Sequence, residues 1–144
     1  MVDYKQGEMG MADDITRYGR NPGAPGQGLD RSSQIVVHGG TAHFVATPDK
    51  PYDPTLSAGD MMRQALARVD ERLALVGSTR ADLVMVQVWI RDMRFFQDVN
   101  AAWDGWIDQD AMPVRACCAC DMGNPDLKVE LVVTARAHRA PPTT

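Results

Sequence analysis

At 144 residues and 44% hydrophobic content the chain is one domain's length, with enough apolar material for a core and no apolar run near the roughly 20 residues of a membrane span. Lys+Arg 15 against Asp+Glu 19 leaves a net charge of -4, which argues against nucleic acid as a partner, since binding to phosphate backbones rests on clustered positive charge. The opening Met1-Val2-Asp3-Tyr4 has no basic segment leading into an apolar stretch, so no secretory signal is read and a cytoplasmic location is expected.

Residues 1–13 are polar with interspersed Gly and Met and are expected to form a flexible leader, ahead of a single domain over 14–138 and a tail over 139–144. A short strand, Ile15-Thr16-Arg17-Tyr18, precedes Asn21 to Gly28, whose density of proline and glycine fits a loop of the kind that often lines a site. Gln34 to His38 and Ala42 to Ala46, joined at Gly39-Gly40, predict a β-hairpin. Ser57 followed by Asp60 resembles a capping box, and Met62, Ala65, Leu66, Val69, Leu73 and Val76 then recur at helical spacing up to Gly77. That pattern predicts an amphipathic helix with one buried stripe. Leu83 to Ile90 is nearly all apolar and rich in β-branched residues, which predicts a central strand covered on both faces. Asp92 is placed to cap a second helix carrying Phe96, Val99, Trp103, Trp106 and Ile107 on one side. Pro113 opens a strand through Arg115, and Gly123-Asn124-Pro125 separates it from a last strand, Lys128 to Ala137.

Three strands, helix, strand, helix and two strands predict an α+β domain: a two-layer sandwich whose six-stranded, mostly antiparallel sheet carries two helices on one face. Two helices cover only one face, yet Leu83 to Ile90 and Leu131 to Ala135 look apolar on both. The second face is therefore expected to pack on neighbouring subunits of a homo-oligomer.

Arg115 is a charge on an otherwise apolar strand, and Glu130 is another on the next. A lone charge inside a core costs several kcal/mol unless something answers it. The two pair with each other, or are unrelated edge charges, or serve a ligand. An arginine fork binds a carboxylate bidentately, and a glutamate beside it holds a water for attack on an electrophilic carbon.

The other candidates are weaker. Cys117, Cys118 and Cys120 make a poor disulfide framework and suit a reducing compartment. Strand alternation puts Arg115 and Cys117 on one face and Cys118 and Cys120 on the other, so the thiols do not converge on a metal, and Cys118 and Cys120 are expected as small buried hydrophobes. Cys117 shares Arg115's face, where a cation lowers a thiol pKa, but no base for it is evident. His38 and His43 lack metal spacing and are expected to be structural or exposed; His138 is read as incidental. The loop before the hairpin has neither GxGxxG nor a Walker lysine, so no nucleotide cofactor is expected. Trp103 and Trp106, at helical spacing, read as core.

Taken together, Pro113-x-Arg115-x-Cys117, the Glu130 of Lys128-Val129-Glu130, Gln64-Ala65-Leu66 and Asp98-Val99-Asn100-Ala101-Ala102-Trp103 resemble the YjgF/RidA family of reactive-intermediate deaminases, also called the endoribonuclease L-PSP superfamily. The resemblance spans Ile15 to Arg136. It implies a chorismate-mutase-like fold and a homotrimer with active sites between subunits. It also implies cofactor-independent hydrolysis of enamines and imines such as 2-aminoacrylate to 2-keto acids and ammonia. By position it implies that Arg115 binds the carboxylate of a small metabolite, that the Cys117 backbone contacts the substrate nitrogen, and that Glu130 positions the water. His38 and Gly39 would line the substrate pocket. The family's archetypes carry a tyrosine where this chain has Pro25, a serine where it has His38 and a glutamine where it has Gly40. His38 can restore one lost hydrogen bond and shuttle a proton, so a divergent substrate is expected. A rival from another class is a non-catalytic trimeric module in which Arg115 captures a keto acid. RNA cleavage, suggested by the superfamily name, fits poorly with the acidic charge balance.

Overall fold

The computed structural model describes residues 14–22 and 28–143; the expected leader and Pro25 lie outside the described residues. In chain order the elements are β1 (Thr16–Tyr18), β2 (Asn21–Pro22), β3 (Asp30–Ser32), β4 (Ile35–His38), β5 (Thr41–Ala46), α1 (Ala58–Leu75), β6 (Leu83–Ile90), α2 (Phe96–Asp104), β7 (Val114–Ala119) and β8 (Val129–Arg136). Single 3-10 turns at Arg80–Asp82 and Met93–Phe95 precede β6 and α2.

One six-stranded sheet runs β1-β4-β5-β8-β6-β7, antiparallel throughout except for the parallel pair β6 and β7. This is the α+β two-layer architecture expected. β2 and β3 pair separately as a short ribbon that the loop assignment did not anticipate. The last strand, β8, inserts between β5 and β6. The connection from β6 to the parallel β7 is a crossover through α2, as parallel pairing requires.

The hairpin of β4 and β5 turns tightly because Gly39 and Gly40 take φ of +63° and +75°, the left-handed values a two-residue turn needs. Ser57 caps α1, its Oγ accepting from the Asp60 N–H at 3.0 Å, while the Asp60 carboxylate pairs with Arg63. Met61, Met62, Ala65, Leu66, Val69 and Leu73 are buried beneath α1. Full burial of each larger side chain stabilises by about 1.5–3 kcal/mol.

α2 is shorter than the sequence pattern suggested, ending at Asp104, so Trp106 and Ile107 lie in the turn beyond it. Arg80 holds that turn. Its Nε and Nη2 fork the Asp70 carboxylate at 2.9 Å, its Nη1 donates to the Trp106 carbonyl at 2.6 Å, and its guanidinium lies 4.5 Å from the Trp106 ring centre. Asp98 ties the two helices together by accepting from the Gly59 N–H at 2.7 Å. A Cβ at Gly59 would stand 2.6 Å from Asp98 Oδ1, so a larger residue there would have to displace the carboxylate from this hydrogen bond.

Side chains alternate across the sheet. Phe44, Val86, Val88, Ile90, Leu131 and Val133 face the helices and are buried. Among the described residues nothing covers the opposite face: Val45 is 46% and Met85 38% exposed there, beside half-buried Gln87, Trp89 and Val132. The expectation that β6 is covered on both faces therefore holds for one face of this chain. His138 is not incidental, because its Nε2 lies 2.9 Å from Oδ1 of the buried Asp82, which also accepts two hydrogen bonds from Arg136.

Candidate active site

β7 is an edge strand, and residue parity decides what each of its side chains meets. Arg115 pairs in register with Val86 and shares its helix-facing side. There it is half-buried against α2, with its Nη2 donating to Asn100 Oδ1 at 2.7 Å and its guanidinium 5.0 Å from the Trp103 ring centre. Asn100 and Trp103 are one helical turn apart, so one face of α2 presents both. Arg115 Nε is sealed from solvent without a hydrogen-bond partner, and no carboxylate among the described residues pairs with the cation. An oriented cation with donor capacity unspent is suited to an incoming carboxylate.

Glu130 pairs with Trp89 across β6 and shares its face, the one without helices. The two charges are thus on opposite faces of the sheet, which removes the ion pair from the possibilities. Burial pushes the Glu130 carboxyl above the usual glutamate range, against an opposing pull from Lys50. A raised carboxyl in a polar cavity is a general-base candidate.

His38 ends β4 and is exposed, with Gly39 in the turn after it. Both sit four strands from Arg115 in the sheet order, and at the opposite end of β8 from Glu130, since His38 pairs with Thr41 and Thr41 with Arg136. One protomer therefore does not gather Arg115, Glu130 and His38 into a single pocket.

Cys117 is half-buried on Arg115's side, where burial raises its thiol pKa and outweighs the lowering by Arg115. That opposes the nucleophile reading. Cys118 is exposed, contrary to the expectation of a buried hydrophobe, because it faces the uncovered side; Cys120 is half-buried, its pKa raised by burial. Sequence reasoning assigned no role to Asn100 and read Trp103 only as core, although their three-residue spacing on α2 marks a shared face. Trp103 is in the core, its ring centre 5.8 Å from that of Trp106, and it carries Arg115 as well.

Residues 30–137 match the family model described as Endoribonuclease L-PSP. The chain belongs to this family, which is also the YjgF/RidA family. A RutC family protein of Haemophilus ducreyi is 30% identical over 106 residues, covering 74% of this chain and 89% of that protein. The 2-iminobutanoate/2-iminopropanoate deaminase of Escherichia coli K12 is 26% identical over 111 residues, covering 76% of this chain and 84% of that one. Among solved structures, a YjgF family member from Neisseria meningitidis has a TM-score of 0.73 at 26% identity, over 88% of this chain and 98% of its own. Membership agrees with the motif around Arg115 and with the sheet order.

Proposed function

We propose that the protein hydrolyses reactive enamines and imines that carry a carboxylate, giving 2-keto acids and ammonia, and that it does so as a cytoplasmic homotrimer whose sites lie between protomers. The observation that carries this reading is the separation of Arg115 and Glu130. Each is a half-buried charge that the other does not answer, one at an edge strand and one on an uncovered sheet face. The likeness to the Escherichia coli deaminase supports the chemistry.

In this account Arg115 of one protomer grips the substrate carboxylate, held in aim by Asn100 and Trp103. Glu130 of a neighbour holds a water against the C=N carbon. As the water oxygen bonds to carbon, the C=N electron pair moves to nitrogen and Glu130 takes the water's proton. Glu130 passes that proton to the nitrogen to give the neutral carbinolamine, then relays the hydroxyl proton to the same nitrogen as the C–N bond breaks and C=O forms, so that ammonia and the keto acid are released. An enamine first tautomerises to the imine. β7, at the sheet edge, leaves one row of backbone groups without a strand partner among the described residues, and the Cys117 backbone contacts the substrate nitrogen. His38 and Gly39 complete the pocket from the hairpin turn.

The test is to generate 2-aminoacrylate with a serine dehydratase and follow keto-acid release. The wild type accelerates release, and Arg115→Ala loses more than about tenfold of that acceleration. If no imine is accelerated and 2-oxobutyrate still raises the melting temperature through Arg115, the protein is a keto-acid binding module instead.

A further inference from the structure

β5 outruns its neighbour. Pairing between β4 and β5 reaches Val36 with His43, while β5 continues to Ala46, so the sheet has a notch beside α1. A cavity of about 540 Å³ occupies it, within the size range of small-molecule sites. Arg68 and Arg72 of α1, Lys50, Tyr52 and Arg31 line it together with Glu130.

Four cations thus share this cavity with one carboxylate. Arg68 is already answered, by Glu71 at 2.7 Å and Asp49 at 3.3 Å. Arg72 is not: its Nε is sealed from solvent with no hydrogen-bond partner, and it forms no ion pair among the described residues. Burial, and then the adjacent Arg68, push the Arg72 pKa down against a weaker upward pull from Glu71 and Tyr18. The Tyr52 hydroxyl, whose pKa burial raises against a lowering hydrogen bond with Thr47, supplies a neutral donor.

We propose that this notch is a second carboxylate subsite, in which Arg72, Lys50 and the Tyr52 hydroxyl take the distal carboxylate of a dicarboxylic imino or keto acid whose reacting carbon lies at Glu130. The proposal rests on the reading of Glu130 as the water-holding base. Arg72 supplies the planar fork that matches a carboxylate, and Lys50 adds a point charge on the Glu130 side of the cavity. The substrate class is accordingly the imine of an acidic amino acid, whose hydrolysis yields a dicarboxylic 2-keto acid. A supplying reaction must oxidise or dehydrogenate such an amino acid at its α-carbon.

Calorimetric titration of the full chain with 2-oxoglutarate and 2-oxobutyrate tests the subsite without turnover. Wild type is expected to bind 2-oxoglutarate at least tenfold more tightly, and Arg72→Gln to erase that preference; Lys50→Gln, on an exposed loop, is expected to reduce it even if Arg72→Gln fails to fold. Equal binding of the two acids by wild type, or a preference that survives both substitutions, overturns the subsite. Failure of the deaminase reading shows separately, as absence of keto-acid release from any imine.

Discussion

Arg115 and Glu130 stand on opposite faces of one sheet, Arg115 in register with buried Val86 and Glu130 in register with Trp89 on the uncovered side. The sheet itself lies between them. Neither charge neutralises the other, so a pocket that uses both must draw them from two chains. In the proposed trimer a second chain docks on the exposed apolar face and the edge of β7.

Asn100 aims Arg115 without neutralising it, because an amide oxygen accepts a hydrogen bond but carries no charge. Asn100→Asp puts a carboxylate in the same place and occupies the fork. Affinity for 2-oxobutyrate, measured by calorimetry, is expected to fall by about tenfold or more while the melting temperature holds or rises. Unchanged affinity would show that Arg115 does not bind the ligand.

Glu130 must be ionised to take a proton from water, and burial raises its pKa above the ordinary glutamate value of 4.5. The acid limb of kcat/KM for imine hydrolysis therefore has its midpoint above that of an ordinary glutamate, with activity lost as pH falls through it. Glu130→Gln abolishes most turnover and removes that limb from the residual rate. A limb that persists in the variant belongs to another group.

Asp82 contributes to acid stability. Burial alone would raise its pKa, but the Thr79 N–H, His138 and Arg136 outweigh this and bring it from 3.8 down to about 2. A carboxylate depressed on folding contributes stability that is fully present above the unfolded pKa and disappears as pH falls through the folded one. Here that window runs from near 4 down to near 2, and the contribution is about 2 kcal/mol. Urea melts of Asp82→Asn should show lower stability at pH 7, by about 1–3 kcal/mol, and less loss between pH 4 and pH 2 than the wild type shows.

Element order was legible because periodicity encodes it. Val129, Leu131, Val133 and Ala135 alternate with half-buried residues along β8, and the stripe from Met62 to Leu73 spells the buried face of α1. Parity within β7 correctly separated Cys117 from Cys118, but it did not say which face the helices cover, so exposed Cys118 was misjudged. Whether Arg115 and Glu130 meet depends on the register of β7 and β8 against β6, which neither strand's own pattern carries. The β2 and β3 ribbon is too short and polar to show alternation. The partnership of His138 with Asp82 spans 56 residues and arises only after folding.

The most direct test of the two-chain site is subunit mixing. Arg115→Ala and Glu130→Gln each remove one half of every site, so each alone keeps only a small residual rate. Co-expressed or refolded together in equal amounts, randomly assembled trimers regenerate an intact interface at about a quarter of their sites, since each interface takes one half from each of two chains. The account predicts recovery of imine hydrolysis to about that fraction of wild type. Mixtures that stay as slow as the separate variants, although they co-assemble, would contradict it.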